Sequence, residues 1–273
     1  GEYDEALKLA HEALDLFTKV GGHGRQHPRV ADSRQLIGII YKTHGRYQEA
    51  LVQYQKALEV FLASYGPAHA SVGEIYGNIG NVYSHLARHE EALVQHQKAH
   101  EVFLAFYGPE HRFVGESYDN MGVAYRQMGR YEEALAQYQK AREVFLSLYG
   151  QEHILMAVGY NNTGNVLSNM GRNEEALEMF SKALEIRISL VGEDHIDVAA
   201  TYSSMAAPNL SQGKTAQGIE MLTKAYDIEL KLLGPDHERT IKAGVALNLL
   251  RISKQRGSAV VTFRSPRTKA RTK

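Results

Sequence analysis

The residues with the strongest claim on chemistry are histidines and asparagines that recur at one interval. His69, His111, His153, His195 and His237 stand forty-two residues apart, which invites a metal reading. A zinc ion needs every ligand about 2 Å away, whereas successive units of this length are separated by two packed helices at about 8–10 Å each. The ladder therefore cannot share one ion, and packing at a turn is the better account. His96 and His100 have the i, i+4 spacing of a metal pair, but Gln97 stands where a zinc protease has its glutamate, and His96 fills the slot of Tyr54 and Tyr138. Gly213-Lys214-Thr215 mimics the end of a phosphate-binding loop, yet the position five residues before Gly213 is Pro208 rather than glycine. No nucleophile with its base and no paired carboxylates in a cleft can be assembled from helices this regular. The expectation is a protein that is not an enzyme and that carries no metal or cofactor.

The elements that hold these residues repeat with them. Gly129-Arg130-Tyr131-Glu132-Glu133-Ala134-Leu135 has copies at Gly45, Ala87 and Gly171, a degraded one at Gly213-Lys214, and an earlier half copy at Gly1. A fixed period of twenty to fifty residues signals a solenoid. Each unit reads as two antiparallel helices, Val114–Gln127 and Tyr131–Leu148 in the third, with an alanine ladder at Ala50, Ala92, Ala134 and Ala176. Glycine recurs inside the first helix at Gly38, Gly80, Gly122 and Gly164, where it costs about 1 kcal/mol against alanine. Close approach of the partner helix is the expected reason. Tyr107-Gly108-Pro109-Glu110-His111 and its copies separate the units, with the glycine read as a left-handed cap. Pro208 lies inside a helix and should kink it, making the fifth unit the least stable.

The predicted organisation is a repeat array over 1–256: a half repeat at 1–29, five repeats over 30–239 and a closing helix at 240–255. Residues 257–273 read as a disordered basic tail. The half repeat lacks its first helix, so its apolar flank should be exposed and could support self-association. A chain that starts inside a repeat reads most simply as an excerpt of a longer protein. Of the 31 Lys and Arg residues, 26 precede Gly257 against all 31 acids, so the array is mildly acidic. Nucleic acid would have only the five basic residues of the tail to hold. No apolar run reaches the roughly 18 residues a membrane span needs, and the absence of cysteine fits a cytoplasmic chain.

Opposite the packed stripe of the first helix lie positions spaced four, three and four. They are Glu116, Asn120, Val123 and Gln127 in the third unit, with Asp119 and Arg126 at the edges. The second unit offers Glu74, Asn78, Asn81 and His85, and the fourth Val158, Asn162, Asn165 and Asn169. Asn78, Asn120 and Asn162 form a ladder continued by Ser204 and preceded by Leu36. Asparagine is a poor helix former, and its amide offers both donors and an acceptor to an extended peptide backbone. The alternative is that each amide bonds a neighbouring helix and only sets the stacking.

The helix pair with its small-residue positions and Gly-Arg-Tyr-Glu-Glu-Ala-Leu resembles the tetratricopeptide repeat. The forty-two-residue period and Tyr-Gly-Pro-Glu-His turn are similar to its kinesin light chain type. The resemblance covers about residues 1–255. It implies an all-α, right-handed superhelical solenoid that holds a protein or peptide partner in a groove lined by first helices, with Asn78, Asn81, Asn120, Arg126, Gln127, Asn162, Asn165, Asn169 and Ser204 as the contacting residues. An alternative is the sensor or oligomerisation arm of a signalling protein with an upstream NTPase or effector. A clamp for a terminal carboxylate needs several cations, and this wall has only Lys42 and Arg126 beside Glu74, Glu116 and Asp119. The acid-rich cargo peptides associated with kinesin light chains lack a basic cradle here.

Overall fold

The computed structural model describes residues 2–20 and 26–255, which form twelve α-helices: α1 Glu2–Val20, α2 Pro28–Thr43, α3 Tyr47–Tyr65, α4 Ala70–His85, α5 His89–Tyr107, α6 Arg112–Gln127, α7 Tyr131–Tyr149, α8 Ile154–Asn169, α9 Asn173–Val191, α10 Ile196–Ser211, α11 Thr215–Leu233 and α12 Glu238–Gln255. The basic segment 257–273 lies outside the described residues. From α2 to α11, first helices of 16 residues alternate with second helices of 19. The chain divides into two compact units, Gly1–Leu148 and Tyr149–Lys273. Inside the first, α1 packs on α2, α2 on α3, α3 on α4, α4 on α5 and α5 on α6; inside the second, α8 to α12 pack in the same sequential way, and α10 also touches α8.

What sets the distance within the first four helix pairs from α2 onward is a ring laid on a glycine. A Cβ built on Gly38 would lie 2.5 Å from the Tyr54 ring; the corresponding distances are 2.6 Å for Gly80 and His96, 2.5 Å for Gly122 and Tyr138, and 2.7 Å for Gly164 and Phe180. No side chain fits there, so the propensity cost of a glycine in mid-helix is offset by burying a whole ring. A second contact of this kind, between Gly73 and Phe103 and between Gly115 and Phe145, lies one helical stretch away. The ladder alanines Ala50, Ala92, Ala134 and Ala176 are fully buried. Gly218 takes their place in the fifth pair because the Leu210 side chain occupies the space a Cβ would need, 2.7 Å away.

Two turns alternate. After each first helix the chain closes a Schellman motif: Arg46 N–H donates to Tyr41 C=O (2.9 Å) and Gly45 N–H to Lys42 C=O (3.1 Å), with matching bonds at Arg88, Arg130, Arg172 and Lys214. The arginine side chain then pairs with a glutamate three residues on, as in Arg130–Glu133, and lies over a tyrosine ring in three of the turns. After each second helix a glycine has φ near +80° and ψ near 170°, as at Gly66, Gly108, Gly192 and Gly234. The predicted left-handed cap is thus right in the sign of φ and wrong in ψ: the backbone is extended, in a region essentially reserved for glycine.

The recurring histidine follows this glycine, and it is an N-cap. Nδ1 of His27, His69, His111, His153, His195 and His237 accepts a hydrogen bond from the amide two residues on, at 3.1–3.3 Å. Nδ1 must then carry no proton, so the neutral ring is the Nε2–H tautomer. Three of the rings also stack on the preceding tyrosine, His69 on Tyr65, His111 on Tyr107 and His153 on Tyr149. Capping explains why first helices start earlier than hydrophobic spacing suggested, at Arg112 rather than Val114 and at Glu238 rather than Thr240.

Two departures are polar. The buried slot held by Phe61, Phe103 and Phe145 passes to Arg187 and then Glu229. Arg187 donates to the Asp197 carbonyl (2.9 Å) and Thr201 Oγ1 (2.5 Å), while Glu229 accepts two bonds from Arg239 and so ties α12 to α11. In α10 the helix runs unbroken through Pro208, and the Asn209 side chain donates to the Met205 carbonyl (2.8 Å).

Ala87 holds φ +57° where Gly45, Gly129, Gly171 and Gly213 stand in the other turns. An L-residue there costs roughly 1–2 kcal/mol. Ala87→Gly is therefore expected to stabilise the protein by about 1 kcal/mol, and Gly129→Ala to destabilise it by a similar amount; denaturant midpoints at constant m-value measure both.

Candidate functional site

The first helices of the first unit present one face that second helices do not cover. A cavity of about 370 Å³ opens on it, walled by Gln35 and Ile39 of α2, by Glu74, Asn78 and Asn81 of α4 and by Glu116 and Asn120 of α6, with His96, Ala99 and Phe103 of α5 at its floor. Asn78, Asn81 and Asn120 are half-buried. Among the described residues their side chains have no hydrogen-bond partner.

The other expected contact residues are distributed as follows. Arg126 is half-buried on α6, close to the phenol of Tyr138; burial pushes that phenol up to about 12, with the Arg126 charge offsetting part of the effect. Gln127, the last residue of α6, is exposed. In the second unit Asn162 and Asn165 of α8 and Ser204 of α10 are half-buried, while Asn169 at the end of α8 is exposed. Gln127, Arg126 and Asn169 do not line the cavity of the first unit. Sequence reasoning missed Gln35, Phe103 and Phe113, because the apolar floor comes from a second helix and from the cap residues of α6, not from the stripe it was following.

His96 and His100 do not act together. His100 Nδ1 is 2.8 Å from Ser117 Oγ, whose own proton goes to the Val114 carbonyl (2.7 Å), so His100 is the donor. His96 lies against Gly80, is 2% exposed, and its Nδ1 has no partner. Burial pushes its ring down to about 4, from an ordinary value of 6.5.

Residues 1–63, 71–147 and 155–228 match the sequence profile of the tetratricopeptide repeat, and the chain belongs to that family. Solved structures similar to it include kinesin light chain-like repeat proteins. BtubC (BKLC) from P. vanneervenii is similar in structure, with a TM-score of 0.73 at 19% identity over 86% of this chain and 93% of that one. A putative kinesin light chain of Podosopora anserina with nearly identical TPR-like repeats gives 0.63 at 17% identity over 76% and 98%. The Rap conjugation gene regulator of plasmid pLS20, solved with the Phr* peptide, gives 0.66 at 18% identity over 82% and 60%. At these identities the likeness establishes the fold, an all-α helical repeat. No curated protein matches the chain in sequence. Among the described residues no helix is long and apolar enough to cross a membrane.

The unfolded chain protonates His96 near pH 6.5 and the folded chain only near 4. Stability from the neutral ring is thus complete above pH 6.5 and is lost as pH falls towards 4, by on the order of 3 kcal/mol. Phe180 fills the equivalent slot against Gly164. His96→Phe is expected to flatten the fall of Tm between pH 7 and 4.5, as differential scanning calorimetry would measure.

Proposed function

We propose that the protein is a non-catalytic, cytoplasmic scaffold that holds a segment of a partner protein along the exposed face of its first helices. The observation that carries this reading is that three half-buried amides, Asn78, Asn81 and Asn120, line one cavity without a hydrogen-bond partner among the described residues. A half-buried amide is partly desolvated, so a peptide backbone that supplies its missing partners gains hydrogen bonds at little further desolvation cost. Alternation of donors and acceptors along an extended backbone suits amides better than it suits charges. The similar Rap regulator was solved with a peptide bound, which supports a peptide as the ligand class. Asn162, Asn165 and Ser204 are the corresponding contacts of the second unit, with Asn169, Arg126 and Gln127 as rim contacts.

Binding partners captured by this protein are expected to lose at least about tenfold in affinity to the Asn78→Ala/Asn120→Ala variant, since each lost hydrogen bond is worth about 1 kcal/mol. Isothermal titration gives the number. Unchanged affinity would place the partner elsewhere.

A second reading concerns α1. Its buried face, Ala10 and Leu14, packs with Val30 and Ile37 of α2. Leu9 and Leu16, two turns apart on another face, are 58% and 56% exposed. Exposed leucines on one face of a helix form an apolar stripe that favours self-association. Sedimentation equilibrium should then show a concentration-dependent mass that Leu9→Ser/Leu16→Ser abolishes.

A further inference from the structure

The cavity of the first unit carries more information than its amides. Four helix pairs place one ring of the second helix against the mid-helix glycine: Tyr54, Tyr138 and Phe180 in three of them, and His96 in the pair that floors this cavity. An imidazole is shorter than a phenol or phenyl ring, and this one borders the open cavity. The floor ring is 2% exposed and its Nδ1 is unpartnered.

The walls around it share one electrostatic sense. Glu74 and Glu116 contribute carboxylates, and no lysine or arginine side chain lines the cavity. Among the described residues Glu74 accepts from Gln35 Nε2 at 3.4 Å. Glu116 accepts from Arg112 at 2.6 Å, in a pair that solvent screens. Phe103 and Phe113, stacked with centroids 5.1 Å apart, add aromatic surface to the same cavity. Carboxylates, amide oxygens, a neutral imidazole and phenyl rings all favour a positively charged group, and a planar guanidinium can both stack on a phenyl ring and bridge carboxylates. A carboxylate entering this space would meet two like charges.

We infer that the cavity over His96 seats a basic side chain, arginine in preference to lysine, projecting from the bound segment of a partner protein. The inference rests on the groove reading above and narrows it: the amides hold the backbone of the segment, and the cavity selects one of its residues. The charge is opposite to that of acid-rich peptides.

Selection of random short peptides displayed on phage against the full chain tests this. Enriched peptides are expected to share an arginine at one position beside an apolar residue. Their affinity should fall at least about tenfold on replacing that arginine by norleucine, on Glu74→Gln/Glu116→Gln, and on His96→Tyr, which fills the space as Tyr54 and Tyr138 do; circular dichroism confirms that each variant is folded. Peptides that lose affinity to Asn78→Ala/Asn120→Ala but share no basic residue, or ignore the glutamate variant, would overturn the cation inference and leave the groove intact. Peptides indifferent to both sets of variants, or no enrichment at all, would overturn the groove reading as well. Competition by a synthetic peptide of residues 257–273 would reassign the occupant to the chain itself and overturn the partner assignment.

Discussion

The structure depends on one contact, a ring of the second helix lying where a Cβ of the first helix would be. Gly38, Gly80, Gly122 and Gly164 each give up side-chain volume so that Tyr54, His96, Tyr138 and Phe180 can lie against bare backbone. The arrangement fixes both the separation of the two helices and their register, because a ring that fits a single gap cannot slide by a turn. Close packing on one side of the first helix leaves its opposite side free. The exposed face that carries Asn78 and Asn120 is thus a consequence of the same glycines, since each first helix is committed to its ring from the inside and keeps polar residues for the outside.

The turns hold the pairs at fixed angles through backbone bonds, and here the conspicuous histidines find their role. A helix start leaves amide donors without partners, and the residue that arrives there after Gly108 and Pro109 is His111, whose Nδ1 accepts from Phe113 N–H at 3.3 Å. Serine or aspartate is the more usual residue at such a position. Imidazole adds a flat apolar surface, and His111 uses it on the Tyr107 ring at a centroid distance of 3.7 Å. One side chain therefore closes the end of one helix and starts the next. A ring committed in this way has its Nδ1 occupied, which is a stronger reason against metal ligation than the distance between repeats.

Periodicity made most of the fold legible before any coordinates: the helix count, the antiparallel pairs, the alanine ladder and the reason for mid-helix glycine were all readable from copies at a constant interval. What escaped was chemistry that has no period of its own. The helix starts at Arg112 and Glu238 were placed too late because a histidine cap is not among the usual starting signals. The ψ of Gly66 and its copies was misjudged because a glycine followed by proline is compatible with two backbone shapes. For the candidate site, the amides were found from their spacing on one helix face. The floor was not, because Phe103 reaches it from a different helix and Phe113 from the cap region, and a single-helix projection cannot bring the two together.

Where the repeats depart from one another, polarity enters the core, and those departures separate this chain from a generic array. The buried phenylalanine slot becomes Arg187 and then Glu229, each hydrogen-bonded to groups on the following helix: the Asp197 carbonyl and Thr201 for the first, Arg239 for the second. A buried ion pair is a weak source of net stability but a strict one for geometry, since either partner alone is costly. It follows that α12 is held on α11 by the Arg239–Glu229 charge match, whereas rings of the second helices close the pairs from α2 to α7. The substitution of His96 for a tyrosine belongs to the same class of change. It leaves the helix pair closed on Gly80 and changes the ring that borders the cavity lined by Asn78 and Asn120.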